Sequence, residues 1–580
     1  MKPDGTSSER ALLFEAAPLL DTRVPARWHR RARWRPWTYL LFAAVLVGGV
    51  LVAPLVATAV ASLTEEDGPA NYRAVLADPE IRQALVNNVI WLLLAVLVCA
   101  AGLGLALLAR NLPPRTRAVL TAALALPAVI SPLTAGIAFR LIFDTNPGRG
   151  VVNAVLPGQV LFLGPGWIWL VLGSAFVWQW TGVAFLVFQA GLPQVPADLR
   201  RVARVLGVGP LRRLRLVEIP ALFPTAALAF LIVLTAAARV FDIVLIGAPG
   251  AVQSELEVVG LTWWRRQDLG PGRSSALAFL QFAVAAAVAL AVLWRLRGEL
   301  PGRPGGSPPP PPPPSPSATR LAHRVLALAA AVLWAAPFGV LLLTSWRSSE
   351  AVATSGPWAG GYGPESYADA FADGTFAEAL AGTAVRAVFV VVIVLVAAVL
   401  AAYGLTHARV PHHGGRATVV VLTALAVLPP QVIARPLGAV LGQWVGGVVA
   451  LSVVYAALML PLAVLVLRNA FATVRAPVVA RPLAEGRSAV YEVVLESGPA
   501  VVAVAVLAFV LAWNDLVVGL FLSWPAANQV PLVLLQQARQ FSTGAGTLAA
   551  EAVVASAVPM LLAVLTARVL VRGLTQGVRR

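Results

Sequence analysis

Lysine is almost absent from this chain of 580 residues, since the only one is Lys2. A nucleotide-binding P-loop needs a lysine on the phosphates, in the pattern G-x-x-x-x-G-K-[ST]. Lys2 stands in MKPDG, which is no such pattern. Cysteine is equally scarce: with Cys99 alone, no internal disulfide can form and a cysteine-based metal site is disfavoured. The sequence therefore predicts no ATP hydrolysis through a P-loop of its own, so that any work it does needs another energy source or another subunit.

Charged residues are also few. They make up 12% of the chain, against about a quarter in soluble domains, whereas hydrophobic residues make up 59%. This balance predicts a membrane protein. The net charge of +17 would suggest a nucleic-acid partner in a soluble protein. Here it is better explained by arginines that gather in cytoplasmic loops between membrane spans, so we expect the lipid bilayer and no nucleic acid as a partner.

Chemistry-bearing clusters are missing as well. The pair His412–His413 could bind a metal, but an adjacent pair in a loop is usually solvated. We find no paired carboxylates, metal cluster or nucleophile with a neighbouring base. The sequence thus predicts no catalytic residue, no metal and no cofactor, and a protein that is not itself an enzyme.

Long apolar runs predict an all-α, polytopic membrane protein with about twelve transmembrane helices in two sets of six, because about 20 apolar residues span the hydrocarbon core. The first six are expected near 39–63, 85–109, 118–142, 167–190, 218–246 and 275–296. The second six are expected near 322–345, 383–406, 416–440, 446–469, 499–523 and 548–571.

Between the two sets lies the proline-rich segment 301–320, PGRPGGSPPPPPPPSPSATR, which is typical of an extended, semi-rigid linker. The predicted domains are a basic cytoplasmic tail (1–38), a first transmembrane domain (39–300), the linker (301–320) and a second transmembrane domain (321–580). Most arginines then fall on one side, and the acidic loop TEEDGPANYRAVLADPE falls on the other. The positive-inside rule therefore places both termini in the cytoplasm.

Each half has a long cytoplasmic loop between its fourth and fifth spans. In the first loop, Pro196 is suited to open a helix and Gly207 to end it in the left-handed conformation. Pro220 follows Gly207 by thirteen residues, and Pro499 follows Gly486 by the same interval. The matching loops indicate a docking surface for a cytoplasmic partner. The alternative is a coincidental pair of basic interfacial loops, because glycine and proline are common in this chain.

At these loops the chain resembles the permease subunits of ATP-binding-cassette importers, especially the carbohydrate (maltose-type) group, whose loop reads E-A-A-x-x-D-G with L-P ending thirteen residues after the glycine. Other segments resemble two different subunits of that group. The first subunit is matched by VFDIVLIGAPG (240–250) and RSSALAFLQF (273–282). The second is matched by LAAYGLTHARVP (400–411), VLPPQV (427–432), AWNDLVVGLFLS (512–523) and GLTQGVRR (573–580). The resemblance implies two fused permeases.

The same resemblance implies the partners: two copies of a separate ATPase, which bind ATP and seat against the loops, and an extracytoplasmic substrate-binding protein. The loop residues that it assigns to coupling are Arg201, Arg204, Gly207, Pro220, Glu485, Gly486 and Pro499. The loops depart from the family pattern, because Arg201 and Ala480 replace its first acidic residue and Leu206 replaces its aspartate. Pro482 also falls inside the second coupling helix, where a proline costs about 3 kcal/mol.

Polar residues within spans are functional candidates, because a charge at bilayer depth costs about 2.5–3.5 kcal/mol on insertion scales. The candidates for the substrate pathway are Arg239, Asp242, Trp513, Asn514 and Asp515. They could instead satisfy one another across the bundle, or simply mark span ends. Trp263, Trp264, Arg265 and Arg266 in an outer loop could contact the binding protein or sit at lipid headgroups.

Two rival functions remain open at this point. An ion-coupled secondary transporter would also have six plus six spans, but the loop ARNLPPRTRAV after the second span lacks the G-x-x-x-D-x-x-G signature of the major-facilitator group. A fused permease for ferric iron or thiamine is the closer alternative. The sugar-type segments near 240–282 and 512–580 favour a carbohydrate.

Overall fold

The computed structural model describes residues 35–146, 148–195, 199, 202–203, 205–296, 317–354, 358, 360–407, 412–442, 447–485, 488–523, 528–539 and 541–575. These residues are overwhelmingly helical, and the β-structure among them is one isolated bridge between Arg347 and Tyr362. The predicted all-α fold is confirmed. Most of the predicted N-terminal tail and proline-rich linker lies outside the described residues, although the helix that follows the linker already begins at Ser317.

The first half contains thirteen α-helical segments, joined by short π-helical and 3-10 turns. They are α1 (Arg35–Leu46), α2 (Ala53–Thr64), α3 (Ala70–Ala77), α4 (Pro79–Ala109), α5 (Pro114–Ala125), α6 (Pro132–Ile142), α7 (Ile168–Gly191), α8 (Pro210–Arg213), α9 (Ile219–Ala221), α10 (Phe223–Ala238), α11 (Asp242–Gly247), α12 (Val259–Arg265) and α13 (Pro271–Leu296), counted over the residues that the structure describes.

The described part of the second half follows the same plan. Its helices are α14 (Ser317–Ser345), α15 (Ser349–Thr354), α16 (Glu365–Phe371), α17 (Thr375–His407), α18 (His412–Ala426), α19 (Pro430–Leu441), α20 (Val448–Phe471), α21 (Ala476–Ala484), α22 (Val490–Glu496), α23 (Gly498–Asn514), α24 (Val517–Ser523), α25 (Val530–Ala538) and α26 (Phe541–Thr575).

Eight continuous helices of the described residues are long and apolar enough to cross a membrane alone, if α1, α2 and the π-helical turn between them are counted as one. Four pairs qualify together but bend sharply, which gives up to twelve spans, the predicted number. The third and ninth spans are not the straight helices expected from sequence: α5 and α6 meet at 108°, and α18 and α19 meet at 90°. Prolines explain both bends, because Pro127, Pro132, Pro429 and Pro430 lack the N–H that a continuous helix needs.

The fifth and eleventh spans are also interrupted, although the sequence analysis treated 218–246 and 499–523 as continuous. In the fifth span, α10 ends at Ala238 and α11 begins at Asp242. In the eleventh, α23 ends at Asn514 and α24 begins at Val517. The Asp515 carboxylate accepts a hydrogen bond from the Val517 N–H at 2.9 Å, as an N-capping aspartate does. An aspartate that caps a new helix thus marks this break.

The two halves interlock through their bent spans. In the first half, α6 packs against α14 and α26 of the second, while α19 of the second packs against α2 and α13 of the first. Thr58 in α2 donates to the Val432 carbonyl at 2.6 Å, and Arg435 bonds to Ser274. The first spans are exchanged as well, since α1 packs on α17 and α14 packs on α5.

One reciprocal contact shows how closely the halves fit. Trp178 in α7 donates its indole N–H to the Trp334 carbonyl at 2.8 Å, and Trp334 in α14 donates to the Trp178 carbonyl at 3.0 Å. An indole N–H buried between helices has no water to bond and needs such an acceptor. The pair therefore satisfies both donors while it joins the fourth span of one half to the first span of the other.

Candidate functional site: a polar centre between the two halves

The helix break of each half bonds to the bend of the other half. Arg239, at the end of α10, donates from Nη2 to the Ala426 carbonyl at 3.0 Å, where α18 ends. Asn514, at the end of α23, donates from Nδ2 to the Val129 carbonyl at 2.8 Å, beside the bend between α5 and α6. Ser131 at the same bend donates to the Asn514 carbonyl at 3.4 Å. These bonds place two predicted pathway residues at the interface between the halves.

Two buried carboxylates lie at the same breaks. Asp515 is near enough to Arg239 to attract its guanidinium, and Asp242 is near enough to Asp515 to repel it. Asp242 is 6% exposed, and its Oδ1 has no hydrogen-bond partner among the described residues. The Arg239 guanidinium thus faces one of the two carboxylates, Asp515, while Asp242 Oδ1 has no donor in the described part of the chain.

Trp513 precedes Asn514 in the chain, but its side chain packs within the second half. Its indole N–H donates to the Ala555 carbonyl at 2.9 Å, and its ring stacks on Phe509 with centroids 5.5 Å apart. The side chain is 3% exposed, packed between α23 and α26 of the second half. Its place in the substrate pathway stays a prediction.

The centre also contains residues that the sequence analysis did not select. In the second half, the Tyr455 hydroxyl can donate to Gln529 Oε1 at 3.2 Å or to the Asp515 carbonyl at 3.4 Å. Arg386 in α17 is 3% exposed and close enough to Tyr455 for electrostatic interaction. Its Nε and Nη1 have no hydrogen-bond partner in the described part of the chain. The signal was available, because Arg386 stands in an apolar span.

A second polar connection crosses between the halves through two glutamines. Gln281 in α13 donates to the Ala238 carbonyl at 2.8 Å, next to Arg239. Gln431 in α19 donates to Gln281 Oε1, so the amide chain runs from the second half to the break in the first. The two amides thus place hydrogen-bond donors and acceptors at the interface between the halves.

Aromatic rings from both halves meet next to the carboxylates. Phe241, which precedes Asp242, packs edge-on against Phe521 at 5.4 Å and against Trp264 at 6.2 Å. Trp263 approaches Phe521 at 5.0 Å. The polar centre is thus bounded by an apolar cluster that can part only if the two halves separate.

The outer-loop arginines next to these rings already bind carboxylates of the chain. Arg265 lies 3.3 Å from Glu257. Arg266 bonds to Asp268 at 2.9 Å and lies 3.2 Å from Asp78. Hydrogen bonding to Asp268 raises the pKa of the Arg266 guanidinium above its ordinary value. Contact of these arginines with a binding protein or with headgroups stays a prediction.

The loop between the fourth and fifth spans of the first half contains the predicted left-handed glycine. Gly207 has φ +69°, and the Val208 N–H bonds to the Ala203 carbonyl at 2.9 Å, which is the long bond of a Schellman helix end. Pro220 lies in the short helix α9. Arg201 and Arg204 lie outside the described residues. The expected end of this loop helix is confirmed, and its role in coupling stays a prediction.

A buried carboxylate fastens this loop to the bundle. Glu218, two residues before Pro220, is 3% exposed and lies 3.0 Å from Arg110 and 3.7 Å from Arg213. Arg110 is the C-cap residue of α4, so the ion pair ties the loop to the C-terminal end of the second span. Sequence reasoning missed Glu218 because its partner Arg110 is more than a hundred residues away.

The corresponding loop of the second half is anchored by tyrosines. The Ala489 N–H donates to the Tyr403 hydroxyl at 3.3 Å, and Tyr39 of the first half donates to Ser488 Oγ at 3.1 Å. The helix α21 continues through Pro482, as expected.

The remaining coupling candidates of the second half lie at the two ends of this loop. Glu485 pairs with Arg481 at 3.5 Å, and Pro499 lies in the first turn of α23. Gly486 is outside the described residues.

Comparison with known proteins decides the family. Residues 100–296 match the model of the family described as "Binding-protein-dependent transport system inner membrane component". The sulfoquinovosyl glycerol transport system permease protein SmoG of Agrobacterium fabrum is 32% identical over 305 residues, which are 48% of this chain and 96% of that protein. The chain belongs to this family. It is a multi-pass permease component of a binding-protein-dependent transport system, which removes the ion-coupled alternative.

Two further relatives match somewhat smaller portions of this chain. The alpha-glucoside transport system permease protein AglF of Rhizobium meliloti is 26% identical over 45% of this permease and 82% of its own length. The trehalose/maltose transport system permease protein MalF of Thermococcus litoralis is 27% identical over 37% and 75%, respectively. A solved bacterial ABC transporter "involved in the import of the acidic polysaccharide alginate" aligns with 48% of the permease at 20% identity and a TM-score of 0.42.

Proposed function

We propose that this permease is the complete transmembrane part of an ATP-binding-cassette importer for carbohydrate. Two separate ATPase subunits would bind the two cytoplasmic loops, and an extracytoplasmic binding protein would deliver the sugar to the opposite face. The printed names of three relatives, which concern a sulfoquinovosyl glycerol, alpha-glucosides and trehalose or maltose, support a sugar. The absence of a P-loop lysine supports ATP binding by other chains. The permease itself would need no cofactor.

Two permease subunits are joined in one chain in this proposal, through the linker 301–320. Relatives such as SmoG match over almost their whole length while covering about half of this chain. The same structural elements follow in the same order in both halves: a bent third span, a loop after the fourth span and a fifth span broken near an aspartate. By the distribution of arginines, both termini would face the cytoplasm, which an even number of spans allows.

The observation that carries the proposal is the exposed surface of the first loop. Val205 and Leu206, beside the left-handed Gly207, are 87% and 72% exposed. These aliphatic side chains lie at the end of the bundle where arginines are concentrated, so lipid does not account for them. A contiguous exposed apolar group with a charged surround is typical of a protein-binding surface.

The structure offers a path from this loop to the polar centre. After the loop, α10 runs 16 residues to the break at Arg239, and in the second half α23 runs 17 residues to Asn514. At 1.5 Å per residue, each helix transmits a displacement over about 25 Å. ATP-driven closure of the ATPases would thus tilt α10 and α23 and strain the cross-half bonds to Ala426 and Val129. The centre would open alternately to either side.

The direct test is co-purification of the detergent-solubilised permease with its candidate ATPase, with and without ATP. A complex of one permease and two ATPases is expected, and a monomeric permease whose transport collapses with the proton gradient would refute the proposal.

The loop itself is tested with three variants. A Cβ at Gly207 or at Gly209 would meet open space, but only Gly207 has positive φ. Gly207→Ala should weaken coupling of ATP hydrolysis to transport, and Gly207→Pro should abolish it, whereas Gly209→Ala should leave it unchanged. Equal coupling in all three variants would exclude the loop from the mechanism.

A further inference from the structure

Arg386 of α17 is a buried cation whose charge has no acidic partner among the described residues. Its side chain is 3% exposed, and neither Nε nor Nη1 has a hydrogen-bond partner in that part of the chain. The neighbour that interacts with its charge is Tyr455. Arg239 differs, because it donates to the Ala426 carbonyl and attracts Asp515. A buried guanidinium with unfilled donors costs free energy, so the folded bundle alone does not explain Arg386.

A further unfilled donor lies beside this arginine. Gln529, which precedes α25, is 1% exposed, and its Nε2 has no hydrogen-bond partner within the described ranges. The Val530 N–H donates to Thr383 Oγ1 at 3.1 Å, which fixes the start of α25 against α17. Thr383 and Arg386 are three residues apart and therefore share one face of α17. The Tyr455 hydroxyl donates to Gln529 Oε1 at 3.2 Å and so connects the amide to the arginine.

The charges around these donors favour a neutral ligand. Tyr455 is close enough to Asp242 and Asp515 for electrostatic interaction, so an anion held next to Tyr455 would be repelled by these carboxylates when they are ionised. A hydroxyl group avoids this repulsion, and its oxygen can accept an N–H of Arg386 or of Gln529. The planar fork of a guanidinium matches two adjacent oxygens, which neighbouring hydroxyl groups of a sugar provide.

The cluster lies far from the loop that Tyr403 anchors. Arg386 stands seventeen residues before Tyr403 on α17, which at 1.5 Å per residue is about 25 Å. Arg386, Tyr455 and Gln529 are each at most 3% exposed, so their donors are closed off in this arrangement. The helix α25 packs against α6 of the first half, and separation of these two helices would open the approach to Gln529. Access to the cluster therefore depends on the placement of the halves.

We propose that Arg386, Gln529 and Tyr455 form a sugar-binding site within the second half, which holds adjacent hydroxyl oxygens of a neutral sugar during its passage between the halves. This inference rests on the proposed function and assigns residues to the recognition of its substrate. In the free permease the buried charge of Arg386 is unfavourable, and the hydrogen bonds to a bound sugar offset part of that cost.

The first test is thermal unfolding of variants in detergent without any sugar. Arg386→Met removes the charge and its unfilled donors, so in this chain of 580 residues it should raise Tm by about 1–3 °C. Arg239→Met leaves Asp515 without its partner and should lower Tm by about 3–5 °C. Arg82→Met, at an exposed position of α4, should leave Tm unchanged. A lower Tm for Arg386→Met would show that the folded permease itself needs this arginine, and would overturn the inference.

The second test measures equilibrium binding of radiolabelled methyl α-D-glucopyranoside, a neutral sugar with adjacent hydroxyl groups, to the detergent-solubilised full chain. The parent should bind it saturably. Arg386→Met should bind it at least about tenfold more weakly, because a hydrogen bond to a charged group is worth about that factor or more. Arg82→Met should bind it as the parent does, since Arg82 is exposed on another helix.

Four results of the binding test would overturn the inference. The parent fails to bind the glucoside, or Arg386→Met binds it as tightly as the parent. D-glucuronate binds more tightly than the glucoside at equal ionic strength, which would make the cluster a site for an acidic group. Sodium sulfate displaces the glucoside at equal concentration, which would make it a site for inorganic anions.

The proposed function is judged separately, by assembly with the ATPases. A permease that assembles with two ATPases, and whose Arg386→Met variant transports sugar as the parent does, would retain the importer and refute this site. A chain that loses sugar binding with Arg386→Met but assembles with no ATPase would retain the site and refute the importer.

Discussion

The two aspartates at the helix breaks should respond oppositely to loss of charge. Asp515 attracts Arg239, whereas Asp242 repels Asp515 and leaves its own Oδ1 without a partner. At a pH high enough to ionise both carboxyl groups, Asp242→Asn removes a buried charge and a repulsion, so it should stabilise the permease by about 1–3 kcal/mol. Asp515→Asn leaves Arg239 as an uncompensated buried charge, and the cost of breaking such a pair is about 3–5 kcal/mol.

Asparagine tests the effect of charge alone in both variants, because it keeps the shape of aspartate and still caps a helix. The unfolding entropy of a folded chain is about 2.1 cal/mol/K per residue, so for 580 residues each kcal/mol shifts Tm by about 1 °C. Asp242→Asn should therefore raise Tm by about 1–3 °C, and Asp515→Asn should lower it by about 3–5 °C.

The assay is thermal unfolding of the detergent-solubilised permease, followed by the fluorescence of its 17 tryptophans. The double variant should recover part of the loss, because it also removes the buried charge of Asp242, which has no protein donor for Oδ1 among the described residues. Shifts of the same sign in both single variants would contradict the arrangement of one guanidinium and two carboxylates.

Three further variants test contacts that hold the bundle and the loops. Gly102→Ala would bring a Cβ within 2.8 Å of backbone atoms of the fourth span and should destabilise by about 1–3 kcal/mol, whereas Gly104→Ala on the same helix meets open space and should be neutral in thermal unfolding. Tyr403→Phe leaves the buried Ala489 N–H unbonded, at a cost of about 1–3 kcal/mol, and should increase proteolysis of the second loop. Glu218→Gln should increase hydrogen exchange in the first loop and leave the second unchanged; equal exchange in both loops would contradict the anchoring role.

Much of this architecture could be predicted from the sequence. Apolar runs of about 20 residues gave the number and order of the spans, because hydrocarbon thickness fixes helix length. Gly207 was identifiable as a helix end, because only glycine takes a left-handed turn at little cost. Arg239, Asp242, Asn514 and Asp515 were identifiable as a group, because these polar residues interrupt otherwise apolar runs.

The bends and the contacts between halves could not be predicted in the same way. Hydropathy shows that a segment is apolar but gives no information about its direction. The spans around Pro127 and Pro429 were therefore predicted as straight helices. The bond from Gln431 to Gln281 joins residues 150 apart and has no local signature. Arg386 was visible in the sequence as a charge within an apolar span. Its interaction with Tyr455 is apparent only in the fold, which brings the two residues together.

The two halves have the same order of elements, but the hydrogen bonds that join the ends of α10 and α23 to the opposite half differ in kind. At the first break Arg239 donates a charge-assisted hydrogen bond, worth about 1.5–3 kcal/mol, whereas at the second Asn514 donates a neutral one, worth about 0.5–1.5 kcal/mol. An equal tilt of α10 and α23 therefore meets more resistance in the first half. Because the stronger bond should hold the first half longer, the interface should begin to open at Asn514. The two loops should then not be interchangeable, even if identical ATPases bind them.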